Sequence, residues 1–336
     1  MATNLSTVYL INSLLKRVRL RSKRTGLVNE FELIQKYFKK DPLDPFVVIV
    51  NGDDAAVFAP RDNVEAVVSV DSVVAGRHVP DLCPPDGFAA RLIGRGLSDL
   101  AAMGATPRYV LLSLSLPALE SGWVDHFSSR FHQLCVRFGV DLIGGDTTKG
   151  PLSAHLTVIG DVPKGLAIGR DGLRLGDDLW LFGPDLGGAR AYLSVLNQGE
   201  QDQEIWAERY WRPEPQLDSG VALRGVANAM IDISDGLCQD LLHLLDRATK
   251  TTAVNLQSRT LPLCEHLVTR FGLDKALEYA LTGGDDYCLL ASIPPNSRVP
   301  PGGTRIGMVV KRESDRILLD GKPIPDFWRL GWDHDQ

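Results

Sequence analysis

Apolar residues recur at three- and four-residue spacing in three stretches of the first half of the chain, 30–40, 86–103 and 123–138. This spacing is typical of amphipathic helices, which place such residues on one face. Between the helices lie short runs rich in β-branched residues and bounded by Gly, Pro, Asp and Asn, which predict strands. The predicted strands of this half are 46–50, 55–58, 64–70, 109–116, 140–143 and 154–160.

Helices and strands alternate irregularly in this half, which indicates an α+β domain with a mixed or antiparallel sheet. Its helices would cover one sheet face, so we expect the other face to pack against a second copy of the chain. A boundary at 163–176 precedes a second α+β half. There we predict strands at 178–182, 230–233 and 287–293, helices at 187–196, up to about 229 and from 237, and a polar loop at 197–204.

The domain prediction therefore has three parts. Residues 1–29 form a basic N-terminal extension, because six Lys and Arg residues cluster between Lys16 and Arg24 and no acidic residue precedes Glu30. Residues 30–162 form an N-terminal α+β domain, and residues 163–336 form a C-terminal α+β domain.

Acidic residues stand at the ends of several predicted elements. If these side chains converge on folding, their mutual repulsion is relieved only by a cation between them. Oxygen ligands without Cys or His partners favour Mg²⁺ over zinc. The acidic residues at these positions are Asp54, Asp71, Asp99, Asp146, Asp232 and Asp235.

Composition excludes several classes of function. The 336 residues carry a net charge of −6, so no basic field recruits nucleic acid. No apolar run approaches the ~20 residues that span a bilayer. The five cysteines are odd in number and form no C-x-x-C pair, which predicts reduced thiols and a cytoplasmic protein.

The familiar phosphate and hydrolase motifs are also missing. The chain has no G-x-x-x-x-G-K-[ST], no complete G-x-G-x-x-G, no G-x-S-x-G and no H-E-x-x-H. Gly144-Gly145 can still bring backbone N–H groups close to a phosphate, with Asp146 holding a metal beside it. Six aspartates exceed what one octahedral Mg²⁺ uses, so several ions are expected where two phosphorylated substrates meet.

Six motifs follow one another along the chain: Gly52-Asp53-Asp54-Ala55, Asp71 to His78, Leu97 to Ala105, Leu142 to Thr148, Ile231 to Leu237 and Thr282 to Tyr287. In this combination and order, they make the chain from about Glu30 to its end resemble the thiamine-monophosphate kinases, in the superfamily of aminoimidazole ribonucleotide synthetase. The resemblance implies two α+β domains of the aminoimidazole ribonucleotide synthetase type, with N-terminal sheets packed in a homodimer. It implies ATP-dependent phosphorylation of thiamine monophosphate to thiamine diphosphate, by direct transfer without a covalent nucleophile.

The resemblance also implies roles for residues at matching positions. The N-terminal domain would bind metal and nucleotide. The six aspartates above, together with Ser69, would hold several Mg²⁺ ions. ATP would be contacted by Gly145, Asp146, Arg170 and Ser234. Thiamine monophosphate would be contacted by His78, Asp285 and Trp332, and a cationic thiazolium between a carboxylate and an indole is physically sensible.

Two departures and several alternatives stay open. Position 285 is Asp where the family usually has Glu, and position 70 is Val where Thr or Ser is common. A sibling ATP-dependent enzyme, namely aminoimidazole ribonucleotide synthetase, selenophosphate synthetase or a hydrogenase-maturation relative, is the second hypothesis. A non-catalytic metal- or thiamine-phosphate-binding protein and a metal-dependent phosphatase are the others.

Overall fold

The computed structural model describes residues 30–50, 54–118, 121–198, 203–325 and 328. The predicted extension 1–29 and Trp332 therefore lie outside the described residues. In the first half the elements are α1 (Glu30–Leu33, continued by a π-helical turn Ile34–Phe38), β1 (Val47–Ile49), β2 (Val57–Phe58), β3 (Val64–Val74), α2 (Pro85–Ala102), β4 (Thr106–Leu116), α3 (Ser121–Phe138), β5 (Asp141–Lys149) and β6 (Ser153–Pro163).

A four-stranded sheet with the order β3-β6-β4-β5 organises this half. Strand β6 pairs antiparallel with β3 and β4, whereas β4 and β5 are parallel, so the sheet is mixed as predicted. Helix α2 packs on one face against β3 and β6. Alternate residues such as Leu112, Leu156 and Val158 are buried beneath it. Residues on the opposite face include Val68 and Val70, which are exposed.

Two strands extend further than predicted. β3 was expected to end at Val70 but pairs with β6 as far as Val74, and β5 was expected to end at Ile143 but pairs with β4 as far as Lys149. The predictions were wrong because backbone pairing with a neighbouring strand tolerates the polar residues there. Asp71 and Asp146 consequently lie within strands, where alternation fixes the face of each side chain.

The elements of the second half are β7 (Asp178–Phe182), α4 (Gly188–Gln198), α5 (Gln203–Trp211), α6 (Leu217–Ala222), β8 (Ala229–Asp232), α7 (Leu237–Arg247), β9 (Thr252–Leu256), a 3₁₀ turn (Ser258–Thr260), α8 (Glu265–Phe271), α9 (Leu273–Thr282), β10 (Leu289–Ile293), β11 (Gly303–Lys311), β12 (Ile317–Leu319) and β13 (Lys322–Pro323). The strands form a seven-stranded sheet with the order β13-β12-β9-β11-β7-β10-β8. Its strand pairs are antiparallel except for β12 and β9.

Helices α4 and α5 pack into the hydrophobic core of the first half. Tyr192, Trp206 and Tyr210 are buried in one cluster with Phe88 of α2. The rings of Tyr192 and Tyr210 stack at a centroid distance of 4.7 Å. The two halves thus share a core, which places the second half directly against α2. In the described part of the chain, no helix combines the length and apolarity required to cross a membrane.

Candidate active site

A cavity of about 830 Å³, here called the main cavity, opens between the two halves of the chain. The first half contributes residues of β3, the following turn and α2. The second half contributes the loops after β8 and α9. Predicted site residues that line the main cavity are Asp71, His78, Asp99, Asp232, Ser234, Asp235 and Asp285.

The acidic side chains from the two halves are joined by arginines of α2. Arg95 Nε donates to Asp71 Oδ2 at 2.9 Å, and its Nη2 donates to Asp71 Oδ1 at 3.2 Å. Arg95 Nη1 lies 3.6 Å from Asp285 Oδ1. Arg91 Nη2 donates to the same Asp285 oxygen at 2.7 Å, and Tyr287 donates its hydroxyl to it at 2.8 Å. Burial opposes ionisation of Asp285, but the charges of Arg91 and Arg95 outweigh it and lower the pKa of Asp285.

Asp99 and Asp232 form a second acidic group in the main cavity. Ser69 Oγ donates to Asp99 Oδ2 at 2.5 Å, because Ser69 and Asp71 alternate onto the face of β3 that α2 covers. Burial raises the pKa of Asp99. Burial and the neighbouring Asp99 charge raise the pKa of Asp232 to about 7. Both shifts have the sign expected where burial and a neighbouring carboxylate outweigh the nearby arginine charge.

The turn after β8 is shaped by Asp240 of α7. One oxygen of this buried side chain, Oδ2, accepts the backbone N–H groups of Ser234, Asp235 and Gly236 at 3.0, 3.1 and 3.2 Å. Burial and the charges of Asp232 and Asp235 raise the pKa of Asp240 to about 8. Asp235, Asp240 and His243 bring one ligand atom each within 4.8 Å of one another. This trio could hold a metal ion, and sequence reasoning found only Asp235.

Asp54, Gly145 and Asp146 line a second cavity of about 790 Å³. Its wall is largely apolar and includes Phe38 and Phe58. Through the strand register, Asp146 aligns with Ser113 of β4, and Ser113 aligns with His155 of β6. His155 in turn aligns with Ser72 of β3. Because aligned residues share a face, Asp146 lies on the face opposite to Asp71. The predicted ligands therefore form two groups.

Arg170 lines a third cavity of about 440 Å³, together with Ser69 and Asp99. His78 closes the main cavity beside β3, where Val74 N donates to its Nδ1 at 3.1 Å. Sequence reasoning missed Arg91 and Arg95, because cations within an apolar helical stripe carry no pattern that marks a site. It also missed Asp240, although an acidic residue in the first turn of a helix is a recognisable signal.

Comparisons with known proteins find relatives that match most of this chain, including the regions that line the cavities. Residues 52–162 match the family model described as AIR synthase related protein, N-terminal domain. The thiamine-monophosphate kinase of Haemophilus influenzae is 35% identical over 324 residues, covering 91% of this chain and 98% of its own length. The enzyme of that name from Escherichia coli K12 is 36% identical with the same coverage.

Solved structures agree with these relatives. The thiamine-monophosphate kinase of Stenotrophomonas maltophilia K279a superposes with a TM-score of 0.75 at 32% identity, covering 95% of this chain and 98% of its own. AaThiL complexed with AMPPCP and TMP superposes with a TM-score of 0.73 at 27% identity, covering 99% of both chains. The hydrogenase maturation protein HypE in complex with ATP, at 17% identity and a TM-score of 0.67, shares the fold.

Proposed function

Since the chain belongs to the thiamine-monophosphate kinase family, we propose that it transfers a phosphoryl group in line from ATP to the phosphate of thiamine monophosphate, with several Mg²⁺ ions. The resemblance stated from the sequence is confirmed. The protein is an enzyme, a phosphotransferase whose donor is ATP and whose acceptor is itself a phosphate. Its product is thiamine diphosphate.

The observation that carries the metal proposal is the convergence of Asp71, Asp99, Asp232 and Asp235 from both halves on the main cavity. The donors are carboxylate oxygens, which suit Mg²⁺, and burial makes the negative charge of Asp99 and Asp232 costly. Bound Mg²⁺ would neutralise phosphate oxygens and align the two substrates. The proposed ligands are Asp71, Asp99, Asp232 and Asp235 with Ser69 at the main cavity, and Asp54 and Asp146 at the second cavity.

The residues proposed for ATP surround these ligands. The exposed backbone of Gly145 and the carboxylate of Asp146 border the apolar wall of the second cavity, which suits a base beside a phosphate chain. Ser234 lies in the turn that Asp240 holds rigidly. Arg170 offers a guanidinium to phosphate oxygens. We expect no residue to form a covalent intermediate, so these groups bind, orient and exclude water.

The proposed contacts of thiamine monophosphate are His78, Asp285 and Trp332. All the hydrogen bonds that Asp285 accepts from described residues reach Oδ1. Oδ2 is therefore available to a cationic thiazolium. His78 closes the main cavity, and the backbone N–H of Val74 donates to its Nδ1 at 3.1 Å, which fixes the ring at the position proposed for the substrate phosphate.

We further propose that the enzyme is a cytoplasmic homodimer. On the face of the four-stranded sheet opposite α2, Val68 and Val70 are 61% and 63% exposed, and a second copy would cover them. The five cysteines are free thiols in the structure, which suits a reducing compartment.

The deciding experiment measures ADP release with Mg²⁺, with and without thiamine monophosphate, for the wild type and for Asp71→Asn and Asp146→Asn. We expect release to require the acceptor and both variants to lose about 100-fold or more in kcat/KM, because each removes charge that holds the metal. Asp246→Asn, at an exposed ion pair with Arg316, is the matched control and should retain full activity.

Four other results would contradict the proposal. Phosphate release without an acceptor would indicate a phosphatase. Binding of thiamine monophosphate without ADP release would indicate a binding protein, and ADP release with a different acceptor would indicate a sibling enzyme. Near-normal turnover in Asp71→Asn or Asp146→Asn would overturn the multi-metal mechanism.

A further inference from the structure

Arg95 is a cation built into the main cavity of an acidic enzyme. Its side chain is 14% exposed, and its Nε and Nη2 donate hydrogen bonds to the two carboxylate oxygens of Asp71. Such a two-point contact fixes the orientation of a carboxylate as well as its position. The third nitrogen, Nη1, faces Asp285 at 3.6 Å. One side chain therefore connects an acidic residue of β3 with one that follows α9.

The Asp285 end of this connection is rigid. Asp285 and Tyr287 both have left-handed backbone conformations, with φ of 59° and 52°. That conformation is costly for a tyrosine, and such strain persists only where the surroundings enforce it. Backbone bonds from Asp285 N to Ser234 O and from Tyr287 N to Ile233 O, both 2.8 Å, hold the turn against the end of β8.

Arg91, a residue of α2, also holds Asp285 in place. Its guanidinium is fully buried, donates to Asp285 Oδ1 and to Tyr210 O, and lies over the Tyr210 ring at 4.1 Å. Breaking a buried ion pair of this kind costs much free energy, because an unpaired charge would remain buried. Asp285 is therefore held in a fixed position, and its contact with Arg95 helps to orient the Arg95 guanidinium towards Asp71.

We propose that Arg95 is a positioning residue and internal counter-ion, which orients the metal ligand Asp71 and balances the repulsion between Asp71 and Asp285 when no divalent cation is bound. The inference rests on the proposed magnesium-dependent function. The positive charge of Arg95 and its two-point contact with Asp71 have separate consequences. The charge disfavours a divalent cation close to Asp71, whereas the two-point contact supports the ligand orientation that catalysis requires.

The test compares wild type, Arg95→Gln and Arg95→Lys by thermal unfolding in EDTA and across a Mg²⁺ titration, together with steady-state kinetics. Arg95→Gln should have a lower Tm in EDTA and a larger Mg²⁺-induced rise in Tm than wild type, because the cavity has lost a positive charge. Its kcat should fall about 10- to 100-fold, as is usual when a residue that orients a metal ligand is removed.

Arg95→Lys separates charge from geometry. Lysine restores the charge but not the two-point contact, so the Mg²⁺-induced rise in Tm should return to the wild-type value while kcat stays at least threefold low. Arg137→Gln breaks an exposed ion pair with Glu214 and is the matched control. It should leave both measurements unchanged.

The outcomes distinguish this inference from the proposed function. A wild-type Tm that does not respond to Mg²⁺ would overturn the magnesium site and the inference with it. A wild type that responds, with Arg95→Gln shifted equally in EDTA and in Mg²⁺, would overturn the role of Arg95 alone. If Arg95→Gln does not fold, Arg95→Lys decides: unchanged kcat would refute the proposal, and reduced kcat with the wild-type Mg²⁺ response would support it.

Discussion

Asp232 shows most directly how the main cavity couples protonation to folding. Its pKa rises from 3.8 to about 7 because the side chain is buried and Asp99 lies nearby. An acid whose pKa is higher in the folded than in the unfolded chain binds its proton more tightly when folded. Its contribution to the free energy of unfolding is therefore full below the unfolded pKa and is lost as the pH rises towards 7.

We predict that the metal-free protein loses stability between about pH 4 and pH 7, which are the unfolded and folded pKa values of Asp232, and that Asp232→Asn reduces this loss. Where the folded protein binds one proton more than the unfolded chain, the free energy of unfolding falls by about 1.4 kcal/mol per pH unit. Thermal unfolding in EDTA at several pH values measures the slope. Binding of Mg²⁺ at pH 7 should also release protons, which calorimetry in buffers of different ionisation enthalpy detects.

The exposed Asp246 provides the control for this measurement. Asp246→Asn should reproduce the wild-type slope, because its side chain is 61% exposed. Equal slopes in wild type and Asp232→Asn would show that Asp232 ionises normally in the folded protein.

The sequence identified the acidic residues but not their partners. Asp71, Asp99 and Asp232 could be predicted to converge, since each follows or interrupts an apolar run and repeated carboxylates invite a common cation. Arg91 and Arg95 could not, because their function depends on how α2 faces the turn after α9. That packing is a long-range property, with Arg91 and Asp285 separated by 194 positions.

Among the elements, α2 was predicted from its apolar spacing, whereas α5 was missed. A polar loop was expected at 197–204, but α5 begins at Gln203 and buries Trp206 and Tyr210. Its apolar residues show little one-sided pattern, so tertiary packing against α4 stabilises it. Likewise, the helix expected to reach about 229 ends at Ala222.

Strand β5 depends on Gly145 for its parallel pairing with β4. Gly145 has a φ of 154°, and a Cβ there would lie 1.9 Å from the carbonyl oxygen of Leu112. We predict that Gly145→Ala destabilises the protein by about 2 kcal/mol or more, because the two backbones must separate. Chemical denaturation measures the change in the free energy of unfolding.

Gly122, in the first turn of α3, is the matched control. No atom lies within 4 Å of a Cβ built at this position. Gly122→Ala should therefore be neutral or slightly stabilising, as alanine favours helix over glycine. A Gly145→Ala variant as stable as Gly122→Ala would mean that β4 and β5 separate without cost.

For the whole molecule, the prediction of two α+β halves of the aminoimidazole ribonucleotide synthetase type is confirmed by the family match and the superposed structures. The proposed division at 162–163 stays a prediction. The hydrophobic core crosses it, because α4 and α5 pack with α2. A linear reading of the chain assigns each helix to its nearest sheet and so does not reveal such a shared core.

The proposed dimer makes the last prediction, which concerns Val68. Contacts of Ser69 and Asp71 with α2 turn Val68 to the sheet face opposite α2, where it is 61% exposed. Val68→Asp places an unpaired charge in the proposed interface, so the mass from light scattering should fall from twice 36.8 kDa to 36.8 kDa. Val136→Asp, at a 65% exposed position of α3, is the control and should remain dimeric. If Val68→Asp is also dimeric, or the wild type is a monomer, the two sheets do not pack face to face.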